Sequence, residues 1–379
     1  MPLSSVVGAQ SIVKPGVCTS TTRPAGPYVG QCIYETDTLL AKVWNGSTWA
    51  DYPEGKLTAT TAVTSNRNKI INGALDVWQR GTSFITDNAA TVIYTADRWA
   101  ARALYPGFGA TQTITRESTH VPTNFVYSLK SVLSTAVPQN NGRMQFFYTM
   151  ENIDSLKHAG KTITISFQAK GIGNTNIIYA ESKYNTSGGR SCDGTTIASQ
   201  GFTINTSSFT TCTYTFTVPN AATLTSSGTI GVLFTWSRTT GTEQVGDGVY
   251  FGAVQMEVGS TATPFEFEDY GVTLAKCKRY YWRNAIYAGG GVGGGGTIPI
   301  VSIQFPVTMR AVPTFGYISN GPTMNGLADE TITGLWVGLP SRDTTADGTE
   351  LLFTKTGAAW TSGQGVTVKN VVIEARAEL

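Results

Sequence analysis

The run Lys161-Thr162-Ile163-Thr164-Ile165-Ser166-Phe167-Gln168-Ala169 alternates apolar and non-core residues without a break. A period of two puts one set of side chains on a buried face and the other on a wet one, the pattern of a half-buried strand. Thr213-Tyr214-Thr215-Phe216-Thr217-Val218 repeats it. Short segments of this kind recur at intervals of roughly 10–20 residues, broken by Gly, Pro, Asn and Ser and with almost no helical periodicity. A chain so patterned has to bury strands against strands. The sequence therefore predicts an all-β protein whose centre is a jelly-roll or β-sandwich.

Three segments follow from the punctuation. Residues 1–65 contain Pro15, Pro24, Pro27 and Pro53, with an Asn45-Gly46 turn between two short apolar pieces. Asn-Gly between apolar runs is a strong hairpin signal, so a small β-meander is expected over Val29–Tyr52. A Thr-, Ala- and Ser-rich linker follows at Leu57–Arg67. Residues 66–271 carry strands expected at Val92–Tyr94, Thr111–Arg116, Tyr127–Val132, Arg143–Met150, Lys161–Ala169, Asn176–Ala180, Thr211–Val218, Gly228–Trp236 and Val249–Glu257, with a short helix at Ile153–His158. Residues 272–379 are read as a connector, with a second helix at Leu274–Trp282, and a C-terminal β domain. Its strands are expected at Ile298–Phe305, Thr314–Ser319, Gly334–Val337, Leu351–Thr354 and Val366–Ala375. The glycines from Gly289 to Gly296 surround only Val292, so this tract is expected to be a loop or tip.

Charge narrows the function classes. Only 14% of the 379 residues are charged, the formal net charge is +2, and Thr is about one residue in seven, against a usual charged share of ~25%. No basic block exists to neutralise phosphates, so no nucleic-acid partner is expected. No apolar stretch is long enough to span a bilayer and no charged n-region precedes one, so neither membrane insertion nor a signal peptide is expected and the chain reads as made in a cytosol. Cys18, Cys32, Cys192, Cys212 and Cys277 form no C-x-x-C pair. Reduced thiols are the expectation, with a Cys192–Cys212 cross-strand disulfide as the alternative.

Catalytic chemistry finds little support. His120 and His158 stand in no metal-binding spacing, and no nucleophile elbow, phosphate loop or dinucleotide fingerprint is present. No cofactor is expected, and no calcium motif marks the loop carboxylates. Glu266 and Glu268, with Asp269 beside them, would lie on one strand face, where paired carboxylates could hydrolyse a glycosidic bond or simply guard a sheet edge. Aromatic side chains beside polar ones offer a different chemistry, stacking on the C–H faces of sugar rings. Tyr179, Tyr184, Trp236, Trp282 and Trp360 are the candidates, with core packing as the competing role.

Longer motifs add a resemblance. Asn68-Lys69-Ile70-Ile71-Asn72-Gly73-Ala74-Leu75-Asp76-Val77-Trp78-Gln79-Arg80-Gly81, then Tyr94-Thr95-Ala96-Asp97-Arg98-Trp99, resembles the opening of a jelly-roll domain found in bacteriophage tail fibre and receptor-binding proteins. Gln255 to Phe267, including Pro264 and Phe265, followed by Cys277-Lys278-Arg279-Tyr280-Tyr281, is similar to that family's closing strand and connector, and Phe305 to Thr314 to the start of its C-terminal β domain. Arg23 to Asp37, with Val43 to Trp49, resembles a segment of several virion proteins.

The resemblance implies a homotrimeric, non-enzymatic fibre protein located in the virion, bound to other virion proteins through residues 1–65 and to a host-surface glycan through a carbohydrate-binding-like sandwich. The alternatives are a purely structural virion component, such as a head fibre or tail-hub adaptor, and a glycan depolymerase. Most motif residues are expected to be structural: Trp78 and Trp99 in the core, Asp97 paired with Arg98, and Arg80 paired with Asp76.

Overall fold

The computed structural model describes residues 16–51, 66–86, 91–104, 111–135, 143–237, 241–292, 299–318, 323–325, 329–337, 344–355 and 365–378. The chain parts into two compact units, 1–65 and 66–379. In the first, β1 (Gly16–Cys18) pairs in parallel with β2 (Cys32–Glu35), which continues antiparallel through β3 (Leu40–Trp44) and β4 (Trp49–Asp51). The Asn-Gly turn forms as expected. Gly46 takes φ +101°, and Asn45 Oδ1 accepts from the backbone N–H of Ser47 and Thr48 at 2.9 and 2.8 Å.

The second unit opens with a two-sheet sandwich. Its strands in chain order are β5 (Ser83–Thr86), β6 (Ile93–Tyr94), β7 (Trp99–Leu104), β8 (Gln112–Glu117), β9 (Ser128–Leu133), β10 (Arg143–Thr149), β11 (Thr162–Ile172), β12 (Ile177–Asn185), β13 (Thr195–Thr203), β14 (Thr210–Thr217), β15 (Thr229–Ser237) and β16 (Gly248–Val258). One sheet has the order β13-β12-β15-β10-β7-β6, the other β14-β11-β16-β9-β8-β5. Alternation decides which residues meet between them. Ile163, Ile165 and Phe167 of β11 point inward, as do Ile230, Val232, Phe234 and Trp236 of β15. Aromatic rings close the gap: Phe251 lies 4.5 Å from Phe146, 4.6 Å from Phe234 and 5.8 Å from Trp99 between centroids.

Helix α1 (Asn152–Leu156) falls where expected, and α2 (Ala221–Leu224) is a single turn. Helix α3 (Tyr270–Lys278) begins earlier than the sequence suggests, because Asp269 caps it, its carboxylate accepting from Gly271 N–H at 2.8 Å. It also ends earlier: Tyr281 and Trp282 start β17 (Tyr281–Val292). The remaining strands are β18 (Pro299–Gln304), β19 (Thr314–Ile318), β20 (Thr323–Asn325), β21 (Asp329–Val337), β22 (Gly348–Lys355) and β23 (Gly365–Arg376). They form a seven-stranded sheet of order β17-β18-β22-β21-β20-β23-β19, with β17 also on β23.

The glycine tract corrects a further expectation. Gly289, Gly290 and Gly291 are not loop but lie in β17, opposite Thr367, Val366 and Gly365 of β23. Backbone hydrogen bonding needs no side chain, so the ladder runs on where side-chain periodicity gives no sign. Residues 293–296 lie outside the described residues, as does most of the expected linker. The sandwich and the C-terminal sheet belong to one compact unit, so the change of architecture at 271/272 is no gap in packing.

Candidate functional site

The family-like motifs meet in space. Asn72 Nδ2 donates to the carbonyls of Val77 and Asp97, both at 3.0 Å, while its Oδ1 accepts from Val77 N–H. Gly73 permits the approach of β16, since a Cβ there would stand 2.1 Å from the Val254 carbonyl oxygen. Trp78 and Trp99 are buried as expected and donate their indole N–H to Leu75 and Asn72 carbonyls. Gln79 donates its backbone N–H to Asp97 Oδ1 at 3.0 Å and its side-chain amide to the Tyr281 carbonyl at 2.9 Å. The guanidinium of Arg80 covers the Tyr281 ring at 3.7 Å, and that of Arg98 covers Tyr280 at 3.6 Å.

Two expected ion pairs are not the ones formed. Arg98 bonds Glu378 at 2.6 Å rather than Asp97, and Arg80 bonds Glu378 at 3.0 Å and approaches Asp97 at 3.8 Å rather than pairing with Asp76. Asp97 and Arg98 lie in the turn before β7, where Arg98 takes φ +71°, and the partners of both come from elsewhere in the fold. Arg279 makes a two-pronged pair with Glu151, both contacts at 3.2 Å. Pro264 offers its carbonyl to Arg67, and Phe265 packs with Phe125 and Phe267. These residues form a frame that joins the sandwich to the connector.

The outer face of the β15-containing sheet has a different character. Register aligns Tyr179 of β12 with Thr235 of β15, Thr235 with Gln145 of β10, and Gln145 with Arg102 of β7. All four have the parity opposite to the core residues of their strands. At about 4.8 Å per interstrand step the row spans roughly 14 Å. Tyr179 is 39% exposed and packs over Gly201, where a Cβ would lie 3.0 Å from the ring and press it outward. Thr235 Oγ1 is buried with no hydrogen-bond partner. Gln145 Oε1 accepts from Arg102 Nε at 2.8 Å.

A neighbouring row forms one wall. Phe147 and Leu233 sit on the same outer face, beneath Cys192 of a 3-10 turn at Ser191–Asp193. Arg102 pairs with Asp193, tying the turn to the row. This pair and Arg190 hold the Asp193 carboxyl below its ordinary range against the opposing effect of burial. On the near side, Lys183 pairs with Glu181 of the same strand at 3.7 Å. Of this row only the Tyr179 ring is open: Gln145 is 1% and Thr235 9% exposed, and Arg102 is drawn onto Gln145 and Asp193, so the face offers one stacking ring on a buried polar support.

The aromatic candidates divide. Tyr179 stands on this face; Tyr184 lies partly buried against the sandwich core. Trp236 and Trp282 are buried, at 1% and 5% exposure, and so offer no stacking face. Trp236 follows the inward parity of β15 and donates its indole N–H to Ser131 Oγ at 2.8 Å; Trp282 packs on Phe305 at 5.4 Å. Trp360 lies outside the described residues. Thr235, Gln145 and Arg102 escaped the sequence reading, because register brings them together and their only linear sign is a polar residue at outward parity within an apolar strand.

Glu266 and Glu268 do not sit on a strand; they follow β16 in an irregular connector, and both line a cavity at one end of the sandwich. Glu266 accepts from Asn68 N–H at 2.6 Å, and Glu268 from Thr273 Oγ1 at 2.8 Å. Cys192 and Cys212 are free thiols in separate clusters, Cys212 between the sheets and Cys192 outside them, so the alternative disulfide does not form. No helix among the described residues is long and apolar enough to cross a membrane.

By fold the chain is an all-β protein centred on a two-sheet sandwich. No family model matches it, and no curated protein matches it in sequence. Among solved structures it is similar to the enzymatically active domain of tailspike protein 4 of bacteriophage CBA120, at 19% identity and TM-score 0.30, over 51% of this chain and 22% of that one. It therefore spans about a fifth of that chain's length, 22%. TmCBM61, solved with β-1,4-galactotriose, is similar at 9% identity and TM-score 0.28, over 51% and 99% of the two chains. The Stig cyclase Fisc from Fischerella sp. TAU is similar at 12% identity and TM-score 0.32, over 52% and 98%.

Proposed function

We propose that this chain is a non-enzymatic phage virion fibre protein, homotrimeric, that attaches to host-surface glycan at the outer sheet face around Tyr179, with residues 1–65 joining it to other virion proteins. The observation that carries glycan binding is Tyr179, a ring 39% exposed on the outer sheet face and backed by the polar row of Thr235, Gln145 and Arg102. The motif resemblance supports the virion setting, since its separate pieces assemble into one frame through Arg80–Tyr281 and Arg98–Tyr280. A shallow face binds one glycan weakly, and three copies on one fibre raise the avidity without any new contact.

The test is sedimentation of the purified chain followed by binding of the same sample to host cells, with Tyr179→Ala alongside. A trimer that labels cells, and a variant that labels them at least about tenfold less, is the expected result. A strict monomer overturns the fibre reading. A trimer that ignores cells overturns host attachment and leaves the structural virion role.

A further inference from the structure

A cavity of about 370 Å³ opens at the end of the sandwich, between the segment 66–76, the connector after β16, and α3. That volume lies in the range of small-ligand sites. Its rim is aromatic: Phe265 and Phe267 stand 5.0 Å apart between centroids, each about as close to Phe125, and Phe267 is 57% exposed. Its interior is polar, and much of its charge is already matched. Asp154 holds Lys157 at 2.8 Å, Glu151 holds Arg279 at 3.2 Å, and Glu268 holds Lys276.

What remains unmatched is informative. His158 is 7% exposed, and its buried Nδ1 has no hydrogen-bond partner. Asp76, half-buried on the lining, has none among the described residues. Buried polar atoms without partners in a native fold call for one from outside the chain. Burial pushes the Asp76 carboxyl up and the Lys69 and His158 groups down, so each is drawn towards its neutral form. With Lys157, Arg279 and Lys276 already matched by carboxylates of the lining, a charged guest finds little free counter-charge there.

We propose that this cavity is a second binding site, separate from the outer sheet face, and that it takes a single uncharged, hydroxyl-rich ring, a neutral sugar residue, stacked on Phe267 and hydrogen-bonded to Asp76. The site does not depend on the outer row: the two share no residue.

Saturation-transfer NMR on the full chain tests it, with glucose, galactose and N-acetylglucosamine as neutral probes and glucuronate and glucosamine as charged ones. At least one neutral sugar gives transfer, and Phe267→Ala and Asp76→Ala each weaken it by about tenfold. Tyr179→Ala leaves that signal in place. Phe267→Ala trims an exposed ring from its cluster with Phe125 and Phe265, and Asp76 is unpartnered among the described residues, so a cooperative melt retained by each variant shows that it folds. The proposal is overturned by no transfer from any neutral sugar at about tens of millimolar, by transfer that survives both cavity variants, or by charged rings that bind as well as neutral ones. Transfer lost only in Tyr179→Ala assigns the signal to the outer face and overturns the cavity site while leaving the glycan face intact.

Discussion

The guanidinium of Arg98 lies 3.6 Å from the centroid of the Tyr280 ring, and its Nη1 donates to Glu378 Oε2 at 2.6 Å. Arg98 is 2% exposed. Three segments distant in sequence thus converge on one buried cation, and each supplies a different kind of partner: a ring face, a carboxylate, and the Thr149 carbonyl.

Removing the carboxylate leaves that cation buried with only neutral partners. Glu378→Ala is expected to destabilise the unit by about 3 kcal/mol, the usual scale for breaking a buried pair from one side. Denaturant midpoints measure it. A loss below about 0.5 kcal/mol, the level of an ordinary surface change, contradicts the pairing.

Asp97 makes stability depend on pH. Burial pushes its carboxyl up to about 6, despite Arg80 and the Gln79 hydrogen bonds that act the other way. Between about pH 4 and pH 6 the folded chain keeps a proton that the unfolded chain has released, so stability falls as pH rises through that window and then levels. A shift of this size contributes about 3 kcal/mol. Urea midpoints at several pH values show the decline in the wild type, and Asp97→Asn flattens it; parallel profiles for the two proteins contradict the assignment.

On the outer row, folding and binding separate. Thr235 is 9% exposed and its hydroxyl has no partner, so Thr235→Val leaves stability unchanged or raises it by about 1 kcal/mol. Because that hydroxyl is closed to solvent, the same change leaves binding at Tyr179 unaltered. A variant that loses stability or affinity contradicts this.

Cysteine reactivity reports on burial. Burial pushes the Cys192 and Cys212 thiols up to about 12, and it raises Cys277 as well. Cys18 and Cys32 are only half-buried. An aromatic disulfide reagent at pH 8 should therefore titrate two thiols in the native chain and all five in denaturant. Three thiols in denaturant would reveal a disulfide.

Much of the sandwich was legible in the sequence because burial on one face writes itself as alternation, as in β11 with Ile163, Ile165 and Phe167. The same rule places Trp236 inward with Phe234, yet its polar neighbours made it look like a ligand contact. β7, Trp-Ala-Ala-Arg-Ala-Leu, was illegible: its inward residues Ala101 and Ala103 are too small to stand out from Ala100 between them. β17 was hidden in its glycines for a related reason. The candidate row shows the limit most plainly, because Tyr179, Thr235, Gln145 and Arg102 come from four strands and become neighbours only through register. No spacing along the chain encodes that.

The Arg98–Glu378 bond also sets a schedule. The two residues are 280 positions apart, so on a ribosome moving at about 5–20 residues per second the arginine waits tens of seconds for its counterion. During synthesis the sandwich can collapse around its aromatic rings but cannot neutralise its innermost cation. The nascent domain is held in an unfinished state until the segment after β23 has been made, so its last folding step waits on a single distant carboxylate.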